Sequence, residues 1–507
     1  MCGIFGFSST INNPKKVLEL MGKNMVHRGP DGFGYSINDT IAMGMRRLSI
    51  IDIEKGNQPF YNRSNDIVVM CNGEIYNYKD LKSELINDGC NFETNSDIEV
   101  IPHLYEKYGI KFIHKLNGMF AISLYDKKRK VFYLIRDRLG IKPLYYNFQN
   151  GELAYASELK SLKVIPKSNF SVDFNALSIY LDLKYIPRPY SPYKEIKKLD
   201  SGSYLKWEGD NNIQINKYWE SSLNVISNKS EEELISQFDE LINSSIKMEL
   251  NSDVPLGSFL SGGVDSSVVT KLASELTNKK FSVFHMRWNE IQGKIDESKF
   301  AERVVENQKI SKYFHDVDNI DILNLIPKLI YHLDEPFADA AFIPTYYLAK
   351  IASDHVKVIL SGAGGDELFG GYPHHKRFSL LKSRINGFIG RKSLAHSYFD
   401  YWRTNYQSRW SRIFPWYQKS IMKESFEQKW NNNKNIDSIN AIMLNDIEYY
   451  LQDDILFLTD KMTMASSIEC RVPLLDHRIV ELSYNIPSYY KIKGNDNKQI
   501  FKKWALK

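Results

Sequence analysis

The pattern of apolar and polar positions changes character about halfway along the chain. Over the first 160 residues the apolar runs are short, as in β-rich structure with scattered helices. Residues 67–70 read as a strand running into a turn at Cys71-Asn72-Gly73-Glu74. Residues 119–125 and 131–135 flank the charged turn Asp126-Lys127-Lys128-Arg129-Lys130, as a hairpin does. The stretch 165–225 carries Pro166, Pro187, Pro189, Pro192 and Gly202 and reads as a connector lying against two domains. A helix is expected over 230–249, with Ser230 as cap and Glu233 three residues on.

Beyond that helix the period shifts. Residues 256–260, 281–286, 313–317 and 356–360 are apolar and strand-like, and 266–276, 299–306 and 320–332 between them read as helices. Strands alternating with helices argue for a parallel sheet covered on both faces. The last hundred residues read as helical and rich in aromatics, and no internal repeat is found. The expected layout is an α+β domain over 1–200, a connector over 201–228 and an α/β parallel-sheet domain over 229–507 with a helical C-terminal part.

Composition narrows the classes without choosing among them. A length of 507 residues allows about three domains. With 43% hydrophobic and 25% charged residues the chain is not globally disordered. A net charge of +5, spread over 66 basic and 61 acidic residues, leaves no nucleic-acid footprint. No apolar run approaches the roughly 18 residues that span a bilayer. The opening MCGIFGFSST lacks a basic segment and a long apolar one, so a cytoplasmic protein without a membrane partner is expected. Four cysteines, Cys2, Cys71, Cys90 and Cys470, make no CxxC pair and no disulfide framework.

Cys2 stands apart from the other three. Removing Met1 would leave it terminal, and an α-amino group with a pKa of about 8 can take the thiol proton. Nucleophile and base then belong to one residue. Around it in sequence lie CGIFGF, HRGPDG, RRLSIID, CNGEIYNY and NSDIEV, in that order over the first hundred residues. These strings resemble the glutaminase domain of the N-terminal-nucleophile amidotransferases, whose fold sandwiches antiparallel sheets. The resemblance implies that Cys2 attacks the glutamine side-chain amide. Asn72 and the Gly73 N–H would form the oxyanion hole. Arg47 would hold the α-carboxylate in a fork that lysine could not reproduce, with Leu48 and Ile50 beside it. Glu74 and Asp97 would take the α-ammonium.

In the second half, Leu260-Ser261-Gly262-Gly263-Val264-Asp265-Ser266-Ser267 follows a strand and opens a helix, where backbone N–H groups cradle anions. It lacks the GK[ST] ending of a Walker A loop. The string SGGVDSS resembles the pyrophosphate loop of ATP pyrophosphatases. A second loop, SGAGGDELFGGY from Ser361, follows the strand expected at 356–360. Two glycine-rich strand ends in one parallel sheet would face each other at its carboxyl edge. By resemblance Leu260, Ser261, Gly262, Gly263, Ser266, Ser267, Ser361 and Gly362 contact ATP. Asp265 and Asp366 would hold Mg²⁺, Phe284 would meet adenine through its backbone, and Lys498 would neutralise departing pyrophosphate.

With DEPFADAAFIPTYYLA from Asp334 and the DDILFLTDKMTMASSIECRVPLLDH region, the resemblance covers nearly the whole chain. The family is the glutamine-hydrolysing asparagine synthetases and their relatives. It implies ammonia release from glutamine, adenylation of a carboxylate acceptor by ATP with loss of pyrophosphate, and attack of ammonia on the acyl-adenylate. L-Aspartate is the leading acceptor, and homodimerisation is left open.

The family pattern is broken in two places. Ala363 stands where relatives carry a glutamate or aspartate, so Glu335, Asp339 or Glu367 is expected to compensate, or the acceptor to differ. A sugar uronate in surface-polysaccharide synthesis is the alternative acceptor, and a synthetase-impaired homologue that keeps glutaminase activity is a third reading. A β-lactam-forming relative is disfavoured because that chemistry has no need of Cys2. The family also usually continues past the lysine-bearing helix, so the second domain reads as short, ending at Trp504-Ala505-Leu506-Lys507 with weaker packing near Lys498 expected.

Overall fold

The computed structural model describes residues 2–8, 11–166, 168–220, 228–287, 297–306, 310–316, 321–384, 398, 401, 407–418 and 437–507. Met1, Val317 and Ile320, which entered the expectations above, lie outside the described residues.

Twelve described strands build two antiparallel sheets in the first half. They are β1 (Cys2–Ser8), β2 (Gly32–Ile37), β3 (Ile41–Arg47), β4 (Phe60–Tyr61), β5 (Ile67–Ile75) and β6 (Gly118–Asp126), then β7 (Val131–Arg136), β8 (Tyr145–Gln149), β9 (Glu152–Ala156), β10 (Ile196–Lys198), β11 (Ser203–Trp207) and β12 (Ile213–Lys217). One sheet has the order β10-β8-β9-β1-β3-β2 and the other β12-β11-β7-β6-β5-β4. Ile4, Met43 and Met45 from the first sheet meet Val68, Met70, Phe132 and Leu134 from the second in one buried cluster. Helices cover the outer faces, Pro14–Lys23 on the first sheet and Tyr78–Asn87 with Val100–Tyr108 on the second. A sheet buried on both faces has no exposed register to slip into, which is why all nine residues of β5 are buried.

Two expectations fail here. Cys71-Asn72-Gly73-Glu74 is no turn: β5 runs straight through it and pairs with β6 at every position from Ile67 to Ile75. The asparagine and glycine have poor strand propensity, and sandwiching overrides it. The stretch read as connector also carries structure. The helix Phe174–Leu183 lies inside it, β10 pairs with β8, and β11 and β12 extend the second sheet beside β7. The hairpin of β6 and β7 is as expected.

The second half opens with the helix Glu231–Glu249. Its Ser230 hydroxyl accepts from the Glu233 N–H at 3.2 Å and the Glu233 carboxylate accepts from the Ser230 N–H at 2.8 Å, a closed capping box. Five parallel strands follow: β13 (Leu256–Phe259), β14 (Phe281–Arg287), β15 (Ser311–Asp316), β16 (Val358–Leu360) and β17 (Glu469–Arg471), in the order β15-β14-β13-β16-β17. The last strand, Glu-Cys-Arg, was expected to be helical. At the chain's end the helix Gln499–Ala505 buries Ile500, Phe501 and Trp504. The Trp504 ring meets Phe238 at 4.7 Å and its N–H donates to Asp239 at 2.8 Å. The weak packing expected near Lys498 is therefore absent.

Buried charge ties the halves together. Arg28, from the HRGPDG string, is fully buried and forks onto Asp460 through Nη1 at 2.7 Å and Nη2 at 3.1 Å, while Nη1 also donates to Glu158 at 3.3 Å. Lys198 pairs with Glu335 in the same way across the junction.

Candidate active sites

β1 carries Cys2 into the space between the sheets, and β5 lies behind it. The Cys2 N–H donates to Asn72 Oδ1 at 3.0 Å, and the Arg28 Nε–H donates to the Cys2 carbonyl at 3.2 Å. Both bonds fix the backbone of Cys2. With Oδ1 engaged, the Asn72 amide turns its NH₂ the other way, where among the described residues its acceptor is Ser157 Oγ at a long 3.5 Å. An oxyanion could win that donor cheaply. At Gly73 φ is +153° and a Cβ would sit 2.0 Å from the Met119 carbonyl oxygen, so only glycine fits. Burial pushes the Cys2 thiol up; the Leu48 N–H and the Arg47 charge pull it back.

Arg47 departs from its expected geometry. Its four terminal N–H groups are spent on the loop that follows: Nη1 on Ile53 O (3.1 Å) and Asn57 Oδ1 (2.9 Å), Nη2 on Ile51 O (3.1 Å) and Asp52 O (2.7 Å). The guanidinium shapes a loop beside Cys2 and presents no open fork. Ile50 is buried at the root of that loop. Glu74 and Asp97 are buried together. Asp97 accepts the Ile75 N–H at 2.8 Å, and burial pushes its carboxyl up to about 6, with Glu469 adding to the rise. Burial also holds Glu74 well above the usual carboxylate range. Two carboxylates in such a setting suit a cationic ligand that would let both ionise.

The nucleotide loops meet as the sequence anticipates. β13 and β16 are parallel neighbours, so the loops after Phe259 and Leu360 leave the same edge. A Cβ on Gly362 would lie 2.5 Å from the Ser266 N, which puts the two glycine-rich backbones in contact. Ser261 Oγ and Ser266 Oγ share a hydrogen bond of 2.9 Å, and the Gly263 N–H donates to Ser261 Oγ at 3.2 Å. Gly262, at φ +91°, turns the chain into the helix Val264–Leu276, which Ser267 joins in its first turn. Leu260 is held by its N–H to the Phe284 carbonyl at 3.0 Å. The Phe284 ring is buried and stacks on Tyr313 with centroids 5.0 Å apart. The Phe284 carbonyl is already engaged by the Leu260 N–H.

Lys498, at the start of the last helix, bridges Asp265 and Asp366. Burial pushes the Asp265 carboxyl up to about 6 against the pull of Lys498, and Asp366 adds to the rise. Asp265 Oδ1 is buried with no hydrogen-bond partner among the described residues. A hard divalent cation such as Mg²⁺ fits that orphaned oxygen together with Asp366.

The carboxylates expected to stand in at Ala363 are occupied. Glu335 is bound to Lys198 and the Tyr145 hydroxyl. Asp339 caps the Ala341 N–H at 2.8 Å. Glu367 accepts from the Tyr372 hydroxyl, and burial pushes it up to about 8. Two contributors escaped the sequence reading. Ser157 binds the Ile4 N–H at 3.0 Å and faces Asn72. Arg471 reaches Glu74 from the second half at 3.5 Å. Neither lies in a glycine-punctuated or alternating pattern that would single it out.

Comparison with known proteins finds a family match in each half of the chain. Residues 1–219 match the glutamine amidotransferase domain model and residues 237–507 match the asparagine synthase model. Asparagine synthetase [glutamine-hydrolyzing] 1 of Bacillus subtilis is 34% identical over 541 aligned positions, covering 100% of this chain and 84% of that protein. Asparagine synthetase [glutamine-hydrolyzing] 2 of the same organism is 33% identical over 96% of this chain and 67% of its own length. Asparagine synthetase B [glutamine-hydrolyzing] of Escherichia coli is 32% identical, covering 80% of this chain and 70% of that protein. Both halves being matched, and a relative aligning along the whole chain, the chain belongs to the glutamine-hydrolysing asparagine synthetase family.

Proposed function

We propose that the chain hydrolyses glutamine at Cys2 and uses the ammonia to convert a carboxylate, with L-aspartate as leading acceptor, into its amide. After removal of Met1 the Cys2 amine takes the thiol proton, and the thiolate attacks the glutamine amide carbon. The Asn72 NH₂ and the Gly73 N–H hold the oxyanion, ammonia leaves, and water releases glutamate. Glu74 and Asp97 hold the α-ammonium; the charge of Arg47 and the loop it shapes face the α-carboxylate.

In the second half the acceptor carboxylate attacks the α-phosphorus of ATP, breaking the bond to pyrophosphate and giving an acyl-adenylate. Ammonia then forms the C–N bond, and AMP and a proton leave. The Ser261–Ser267 loop cradles the phosphates and Lys498 offsets their charge as pyrophosphate departs. Mg²⁺, held by Asp265 and Asp366, would supply further charge neutralisation at the phosphates. Two cavities of about 20 Å³ lie at the junction of the halves, both lined by Ile141, and each has room for one water-sized molecule such as ammonia.

The observation that carries this reading is the meeting of the two glycine-rich loops under a Lys498 that joins Asp265 to Asp366. The test is pyrophosphate release with ammonia and a panel of carboxylic acids, then with glutamine. Pyrophosphate and AMP should appear with aspartate; ADP and phosphate would rule out adenylation. Ala363 favours a second reading, a sugar uronate as acceptor, which gains if uronates drive release and aspartate does not. No release with any acid of the panel would leave a glutaminase with an impaired synthetase half.

A further inference from the structure

We propose that Asp253 and Arg471, both in the second half, are positioning residues for glutamine hydrolysis in the first, Asp253 by fastening the loop that Arg47 shapes and Arg471 by facing Glu74. The proposal rests on Cys2 being the glutamine site.

Asp253 follows the helix Glu231–Glu249 and leads through Val254 into β13. Its N–H donates to the Ile50 carbonyl at 2.9 Å, and its Oδ2 accepts the Asp52 N–H at 2.8 Å. These reciprocal bonds grip the root of the 51–57 loop. Asp52 passes the grip on: its Oδ2 accepts the Asn95 N–H at 2.7 Å, and Asn95 lies two residues before Asp97. The loop beside Cys2 and the loop bearing Asp97 thus share one clamp, and one jaw of it comes from the second half.

Arg471 supplies the other contact. In β17 its Nε binds Glu469 at 2.6 Å, and its Nη1 binds the carbonyls of Glu249 at 2.5 Å and Asn251 at 2.7 Å. The Asn251 carbonyl is two residues from Asp253, so Arg471 also braces the segment that carries the clamp. Its Nη2 stands 3.5 Å from Glu74 Oε2, and both atoms are buried with no hydrogen-bond partner among the described residues. A buried carboxylate oxygen with no hydrogen bond depends on the nearest charge for its orientation. The Arg471 carbonyl meanwhile accepts the Ser361 N–H at 2.9 Å, at the start of the second nucleotide loop. One residue therefore contacts both sites.

A plain interface role would lower the melting temperature and slow both activities together. The proposal demands a split. In the full chain, Asp253→Ala should raise the KM for glutamine about fivefold, as for one lost hydrogen bond on a binding loop. Pyrophosphate release driven by ammonia should stay within about twofold of the unsubstituted chain. Asp253→Asn should restore the KM, because an amide oxygen still accepts the Asp52 N–H. Arg471→Lys, which keeps the charge and loses the fork, should raise the same KM. An unchanged KM in Asp253→Ala, or equal losses with glutamine and ammonia, overturns the proposal. No glutamate formation by the unsubstituted chain would instead defeat the assignment of Cys2, a result separable from either.

Discussion

Lys498 Nζ lies 2.6 Å from Asp366 Oδ1 and makes a second contact with Asp265, so one cation joins the two glycine-rich loops. Burial alone would lower the lysine; the two carboxylates outweigh it and raise it. The ammonium therefore stays charged through neutral pH. Lys498→Met should cut ammonia-driven pyrophosphate release by about 10²–10³, the loss expected on removing one preorganised charge-stabilising donor. Glutamate formation from glutamine should change less than about twofold. Lys498→Arg should not rescue, because a planar fork replaces a point charge between two carboxylates. Full pyrophosphate release in Lys498→Met would remove the lysine from the reaction.

The pair Cys2 and Asn72 separates nucleophile from oxyanion support. Cys2→Ala should abolish glutamate formation and leave ammonia-driven amidation intact at high pH, where more of the nitrogen is unprotonated. Asn72→Ala should lower kcat for glutamine by about 10²–10³ with little change in KM, since an oxyanion donor acts mainly in the transition state. Because Asn72 Oδ1 also holds the Cys2 N–H, a circular-dichroism melt belongs beside the kinetics. A large KM effect with kcat preserved would assign Asn72 to substrate binding instead.

Much of this architecture is readable from local pattern. The apolar runs of β13 and β16 end in glycine-rich loops, and the parallel pairing of the two strands brings Ser261 and Ser361 to one edge. The capping box at Ser230 and Glu233 closes as its spacing indicates. What escapes the pattern is buried charge. Glu469-Cys470-Arg471 reads as part of a helical tail, yet it is a buried strand whose arginine is kept inside by Glu469 and two carbonyls that accept its hydrogen bonds. Asn72-Gly73-Glu74 looks like a turn, yet stacking between sheets makes it strand. The alternation Ser203-Tyr204-Leu205-Lys206-Trp207 is visible in the sequence, but the prolines upstream draw attention to a connector. Arg47 reads as a substrate fork because no single-residue rule reports that four loop acceptors have already claimed it.

Asp97 gives a pH dependence with a definite sign. Burial raises its carboxyl from the usual range to about 6, so in the folded chain it protonates as pH falls through that value. If it binds the α-ammonium as carboxylate, the KM for glutamine should rise as pH falls below about 6, while kcat changes less. The stability effect runs the other way. A carboxyl raised in the folded state costs stability above its folded value, and that cost disappears below the unfolded value of about 4. Asp97→Asn should therefore raise the unfolding free energy at pH 7–8 by about 1–3 kcal/mol, its amide oxygen still accepting the Ile75 N–H. It should also raise the KM for glutamine above about pH 6 and flatten the acid limb, the two chains converging at lower pH. An acid limb that persists in Asp97→Asn would move the titration to Glu74, which burial also raises.

Ala363 stands on the second glycine-rich loop, where the sequence resemblance led us to expect a carboxylate. Its N–H donates to Ser361 Oγ at 3.3 Å and its methyl group is half-buried against the second half's core. Attack of ammonia on an acyl carbon leaves a proton to be taken up, and each expected substitute for a carboxylate here is engaged elsewhere. Glu335 serves Lys198 and Tyr145, Asp339 caps a backbone N–H, and Glu367, pushed up to about 8, is mostly protonated at pH 7. Ala363→Glu places a carboxylate on the loop that already meets the Ser261–Ser267 cradle. With aspartate as acceptor, the substitution should raise asparagine formation at saturating ammonia by tenfold or more, within the range of about 10²–10⁴ for a well-placed proton acceptor. It should cost about 1–3 kcal/mol of stability through crowding at a half-buried site. The measurement is asparagine and AMP formed per unit time, with a thermal melt of the same preparation. Unchanged asparagine formation in a folded variant would mean that aspartate is not the acid this loop is built to serve.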